Sequence, residues 1–168
     1  FHKQVWEAKE DLDANSLALF YTAKDGETGY PGNLDISVTY TLKADNALEI
    51  QYCGVCDQKT TINCTNHSYF NLAGHDSGNI LDHKVCIQAS HYTPVVAGAI
   101  PTGEIAPVAG TPMDFTSFKR VGDEIDADFE QLKLVQGYDH NWVLDKEAGK
   151  FDKIAEVTDG QGLRKMEV

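Results

Sequence analysis

Long apolar runs are missing from this chain. The longest uninterrupted one, Val95–Ile100, is far too short to cross a bilayer. Positive charge is scarce too: 14 Lys and Arg stand against 26 Asp and Glu, giving a formal charge of -12 and a pI near 4.7. A surface this acidic repels phosphate backbones and anionic lipid, so no nucleic-acid partner and no membrane partner is expected. Its ordinary consequence is solubility. No basic start followed by an apolar stretch is read from Phe1 onward, so no secretory leader is expected and the expected location is cytoplasmic. Repeats, low-complexity tracts and linkers are absent as well, which predicts a single domain over residues 1–168. At 18.5 kDa, 42% hydrophobic and 24% charged, the chain has the means to build a real core.

Cysteine is sparse and poorly placed for chemistry. Cys53, Cys56, Cys64 and Cys86 are the full set, and Cys53–Gly54–Val55–Cys56 spells C-x-x-C. That spacing serves redox pairs and halves of zinc sites. Here it falls in Leu48–Cys56, which reads as a strand, and an odd spacing along a strand sends two side chains to opposite faces. No second C-x-x-C and no H-x-x-x-H follows to complete a zinc shell. The expectation is no metal, no disulfide, and buried thiols in a reducing compartment. His2, His75, His83, His91 and His140 read as surface or structural histidines.

What is present in abundance is a period of two. Leu34–Leu42 alternates apolar and polar residues through nine positions, the pattern of a strand with one wet face. Lys43–Asn46 breaks it, and a second strand from Ala47 to about Asp57 makes an antiparallel hairpin. Further strands are expected over Gln4–Lys9, Ser16–Ala23, Thr60–Asn66, Lys84–His91, Asn141–Leu144, Lys153–Thr158 and Leu163–Val168. Between His91 and Tyr138, Pro94, Pro101, Pro107 and Pro112 with Gly98, Gly103 and Gly110 predict extended loops, with a short helix somewhere in Val121–Leu134. Many antiparallel strands joined by Gly/Pro-rich turns define an all-β chain, a β-sandwich or barrel.

Two segments concentrate the groups that a sugar site uses. Thr65–Asn66–His67–Ser68–Tyr69–Phe70–Asn71–Leu72 sets a histidine among hydroxyl, amide and aromatic neighbours. Gly137–Tyr138–Asp139–His140–Asn141–Trp142 sets a carboxylate among aromatics. Such residues supply donors and acceptors for ring hydroxyls and flat faces for the C–H surface of the ring. His67 is the strongest candidate for proton transfer near neutral pH, and Asp139 can accept hydrogen bonds from adjacent sugar hydroxyls. Local sequence leaves two plainer readings open: a histidine that closes a strand and bonds backbone, and an aspartate that organises a turn.

The longer pattern bears on that choice. Gly29–Tyr30–Pro31–Gly32, Thr65–Gly74, Ile80–Leu81–Asp82–His83, Ile100–Val108 and Gly137–Trp142 resemble segments of the aldose 1-epimerase (galactose mutarotase) family, in its order and near its spacing. The similarity runs the whole length of the chain. It implies a large antiparallel β-sandwich with the sugar in an open cleft. It further implies that His67 is the general acid that protonates the ring oxygen, that Ser68 and Tyr69 line the sugar site, and that Asp139 holds sugar hydroxyls. A glutamate takes the anomeric hydroxyl proton in that family, and no metal or organic cofactor enters, since both steps are proton transfers. By this resemblance Phe1–Trp6 looks like the stretch just after a His-Gly-Gly turn, the base lies beyond Val168, and the chain is an interior piece, inactive alone. Two alternatives stay open: a hexose-6-phosphate epimerase, for which neither motif has a basic cluster beside it, and a carbohydrate-binding sandwich without turnover.

Overall fold

A computed structural model describes residues 1–168. Its strands are β1 (Glu7–Asp11), β2 (Ser16–Ala23), β3 (Leu34–Leu42), β4 (Leu48–Cys56), β5 (Lys84–Ile87), β6 (His91–Thr93), β7 (Val95–Val96), β8 (Ile100–Pro101), β9 (Ala106–Pro107) and β10 (Lys119–Arg120). After them come one short helix, α1 (Glu130–Val135), and β11 (Asn141–Val143), β12 (Ala155–Thr158) and β13 (Lys165–Glu167). Every strand pairing is antiparallel, so the chain is all-β as expected. No helix is long and apolar enough to cross a membrane. Two compact units divide the residues, Phe1–His67 and Ser68–Val168.

The first unit is a meander in the order β1-β2-β3-β4. The alternation in β3 works as predicted: Leu34, Ile36 and Val38 are buried on one face while Asp35 is exposed on the other. The β3–β4 turn closes with the Lys43 N–H donating to the Ala47 carbonyl at 2.8 Å, and Asn46 takes a left-handed φ of 66° that asparagine tolerates. Register then pairs Ser37 with Cys53 and Leu34 with Cys56, which puts the two cysteines of the C-x-x-C on opposite faces. All four cysteines are free thiols. They are not buried, however: Cys53 is exposed and the other three are half-buried, Cys53 and Cys56 lying on β4, an outer strand of its sheet. Gly32 shows why the turn before β3 needs glycine. Its φ is 88°, and a Cβ there would lie 2.5 Å from the Cys56 sulfur.

Two expected strands differ in this unit. The first begins at Glu7 rather than Gln4, because the Gln4 N–H turns back to the Phe1 carbonyl at 3.1 Å and pairing starts only at Glu7 opposite Phe20. Thr60–Asn66 forms no strand at all. Ile62 instead lies over β4, where Gly54 has no side chain; a Cβ on Gly54 would come within 3.2 Å of the Ile62 Cδ1.

The second unit holds a sheet in the order β10-β5-β12-β13, a sheet in the order β11-β6-β9, and the small β7-β8 pair. The strand expected over Lys84–His91 is two strands in two sheets. At the break the Gln88 N–H bonds the Ile154 carbonyl and the Gln88 carbonyl accepts from Asp145, both at 2.8 Å, while Ala89 is buried. The helix expected within Val121–Leu134 resolves into a 3₁₀ turn at Val121–Asp123 and the six residues of α1. The core gathers Tyr92, Val108, Met113 and Leu132, with Ala106, Ala127, Phe129, Tyr138 and Trp142 packed against it. Full burial of Val108, Met113 and Leu132 supplies roughly 1.5–3 kcal/mol each.

Candidate functional site

Asp139 is presented by its neighbours. At the end of α1, Gln136 adopts a left-handed φ of 59° and Gly137 a φ of 137°, which turn the chain into the extended run before β11. Successive side chains of an extended chain point to opposite sides. Tyr138, His140 and Trp142 therefore turn inward and are half-buried, while Asp139 and Asn141 face out and are exposed.

Each inward ring also satisfies a polar atom. The Tyr138 hydroxyl donates to the Pro112 carbonyl at 3.2 Å, and the Trp142 Nε1–H donates to the Met113 carbonyl at 3.0 Å. His140 Nε2 lies 3.2 Å from Gln131 Oε1. Phe115 meets Tyr138 and Trp142 edge-on with centroids 5.0 and 5.9 Å away, and His140 stands edge-on to Tyr92 at 5.8 Å. Lys119 caps this cluster, donating to the Pro112 carbonyl at 2.7 Å while its ammonium sits 4.3 Å from the Phe115 ring centre. Three anchored rings thus hold the backbone on both sides of a carboxylate that faces solvent.

Burial governs the titration of the anchors. It pushes the Tyr138 phenol up to about 12, with the negative charges of Glu124 and Asp123 adding to the effect. Tyr138 is therefore a neutral donor at any physiological pH. Burial also lowers the pKa of His140 from its ordinary value, partly opposed by the nearby Asp139 charge.

The 65–72 segment is built differently. Residues Thr60–Asn71 carry neither helix nor strand, and His67, Ser68 and Tyr69 are exposed, Tyr69 to 91%. None of Asn66, His67, Ser68 and Tyr69 stands without an interaction of its side chain or backbone. Within the second unit, the far end of the segment is fixed. The Leu72 N–H donates to Nε2 of the buried His83 at 3.0 Å, and Asn71 donates through Nδ2 to the Gly78 carbonyl at 3.1 Å. His67 closes the first unit, whereas Ser68, Tyr69 and Asp139 belong to the second.

By sequence alone His83 and His140 fall among the unremarkable histidines. The fold sets them apart: both are half-buried or buried, and both have a ring nitrogen, Nδ1, that is buried and unpaired. The sequence does carry a signal for His83, since it ends Ile80–Leu81–Asp82–His83, one of the segments with a family resemblance. Gln131 gives no such signal, because its partners are remote in sequence. No group of three or more His, Cys, Asp or Glu side chains is gathered closely enough to hold a metal ion.

The sequence pattern of the aldose 1-epimerase family matches residues 1–168. The chain is 42% identical to mouse (Mus musculus) galactose mutarotase over 168 residues, which is 100% of this chain and 46% of the mouse protein. It is 38% identical over 149 residues to the aldose 1-epimerase of Haemophilus influenzae, covering 87% of this chain and 42% of that one. Among solved structures, galactose 1-epimerase from Lactobacillus acidophilus superposes with a TM-score of 0.82 at 32% identity, over 93% of this chain and 45% of that chain. The architecture is that of the galactose epimerases, and the chain belongs to the aldose 1-epimerase family. It spans somewhat less than half the length of the curated relatives it matches.

Proposed function

We propose that the protein carrying this sequence is an aldose 1-epimerase. It interconverts the α and β anomers of free aldohexoses such as galactose and glucose. His67 acts as general acid and protonates the ring oxygen as the hemiacetal opens, while a carboxylate base removes the anomeric hydroxyl proton. The open aldehyde turns about its C1–C2 bond and recloses on the other face. Ser68 and Tyr69 line the sugar site, and Asp139 accepts hydrogen bonds from the sugar's hydroxyls. Proton transfer accounts for both steps, so the reaction calls for no cofactor. Four unpaired thiols suit a reducing compartment, and we place the protein in the cytoplasm.

The observation that carries this reading is the mounting of Asp139, an outward carboxylate between two inward rings whose polar atoms are tied to the Pro112 loop and to Gln131 of α1. A turn-forming aspartate would spend its oxygens on nearby backbone N–H groups. Polarimetry tests the proposal: the whole protein should speed the decay of optical rotation of freshly dissolved α-galactose or α-glucose well above buffer. Sugar binding without acceleration would make it a carbohydrate-binding protein instead.

A further inference from the structure

Gln131 grips the backbone of Val95 from both sides. The Val95 N–H donates to Gln131 Oε1 at 2.7 Å, and Gln131 Nε2 donates to the Val95 carbonyl at 3.1 Å. A backbone N–H only donates and a carbonyl only accepts, so the orientation of this amide is fixed. The atom that faces His140 is then Oε1, an acceptor, and the His140 nitrogen 3.2 Å away must carry the proton. His140 is held as the Nε2–H tautomer. Its other nitrogen, Nδ1, is buried without a partner, and a proton placed there would have no acceptor. The ring is thus kept neutral as well as oriented, against the edge of Tyr92.

We propose that His140, locked by the Gln131 clamp on Val95, is a positioning residue that sets the direction of the Asp139 carboxylate toward the sugar. This rests on the reading of Asp139 as a sugar-binding residue. The geometry supplies the mechanism. Asp139 has no side-chain tether within the anchored row; its direction is set by the residues on either side, Tyr138 bonded to Pro112 and His140 bonded to Gln131. Releasing one anchor frees the backbone on that side of the carboxylate. The change His140→Phe does this cleanly. It keeps a ring against Tyr92 and removes the N–H, yet it leaves no orphan, because Gln131 Oε1 still has the Val95 N–H.

The test compares Asp139→Asn, His140→Phe, His140→Gln and the Asp139→Asn/His140→Phe double variant in the whole protein. Galactose affinity is read by calorimetry, KM and kcat by polarimetry, and folding by thermal melting. His140→Phe should raise KM about tenfold, as misplaced binding groups do, with kcat and melting temperature little changed. His140→Gln, which keeps a donor near the Nε2 position, should recover most of that loss. In the Asp139→Asn background His140→Phe should add nothing, since it acts through the carboxylate. A full additive effect in that background, or an unchanged KM in His140→Phe, would overturn the positioning role while leaving Asp139 in the site. An unchanged affinity in Asp139→Asn would remove the reading beneath it. Histidine ¹⁵N spectra of the unaltered protein give a check free of any folding defect. The Nε2–H tautomer is expected at neutral pH, and an Nδ1–H tautomer or an imidazolium would contradict the lock.

Discussion

The buried His83 accepts the backbone N–H of Leu72 at 3.0 Å, and so ties the end of the 65–72 segment to the residue that precedes β5. Because Nε2 is the acceptor, the proton sits on Nδ1. His83→Phe keeps the ring but leaves the Leu72 N–H unpaired in a half-buried setting. The orphaned donor costs about 1–3 kcal/mol, offset in part because the buried, unpaired Nδ1–H of His83 is removed as well. His83→Gln, whose amide oxygen can accept in place of Nε2, should cost less. Urea unfolding of the three proteins decides it: equal midpoints would mean that the bond contributes nothing.

Asp139→Asn should weaken galactose binding while leaving the fold intact. The exposed carboxylate is replaced by an amide of the same shape, so stability should stay within about 0.5 kcal/mol. Loss of charge-assisted bonds to sugar hydroxyls should cost about 1.5–3 kcal/mol of affinity. Calorimetric titration reads the affinity. Equal affinity and turnover in the two proteins would take Asp139 out of the site.

Acid should destabilise the chain in a defined window. The Asn33 side chain and backbone N–H hold Asp57 below its ordinary range, and Thr116 does the same for Asp114. Burial of Asp159 works to raise its pKa but is outweighed by the N–H groups of Leu163, Arg164 and Gly162, so the net shift is downward. A carboxyl with a depressed folded-state pKa binds its proton more readily in the unfolded chain. Its stabilisation is complete above the unfolded value of about 4 and is lost as pH falls through the folded value. His140, lowered by burial, adds a milder loss that starts as pH falls through its unfolded value of about 6.5. Urea midpoints should therefore decline a little from pH 7 to 5 and steeply below 4, and Asp57→Asn should flatten the steep part. A midpoint independent of pH between 6 and 3 would contradict these assignments.

Thiol reactivity should be graded. Cys53 is exposed and the other three cysteines are half-buried, so one thiol should react with a disulfide reagent ahead of the rest in the folded protein. Unfolding should release all four without reductant. Fewer than four would reveal a bond that the opposite faces of Cys53 and Cys56 exclude within β4.

The parts of the fold that can be read in the sequence are those set by local pattern. Ser16–Ala23 and Leu34–Leu42 are strands at the predicted residues, since alternation and flanking turn formers act within a few positions. The break at Gln88 is not legible there, because it is made by Ile154 and Asp145, more than fifty residues downstream. Thr60–Asn66 has the composition of a strand but finds no ladder, and only the missing side chain of Gly54 explains where Ile62 goes. The candidate site divides in the same way. The outward turn of Asp139 can be read from its alternation with aromatic neighbours, whereas the part played by Gln131 cannot, because its bonds go to Val95, thirty-six residues away.

The most direct measurement of the central claim is the polarimetric turnover of α-galactose by the whole protein and by its His67→Gln variant. General acid catalysis commonly contributes about 10² to 10⁴-fold, and the variant's kcat should fall by that factor with KM little changed. A variant that keeps the kcat of the unaltered protein would contradict the role of His67, since the ring oxygen would then be taking its proton from another group.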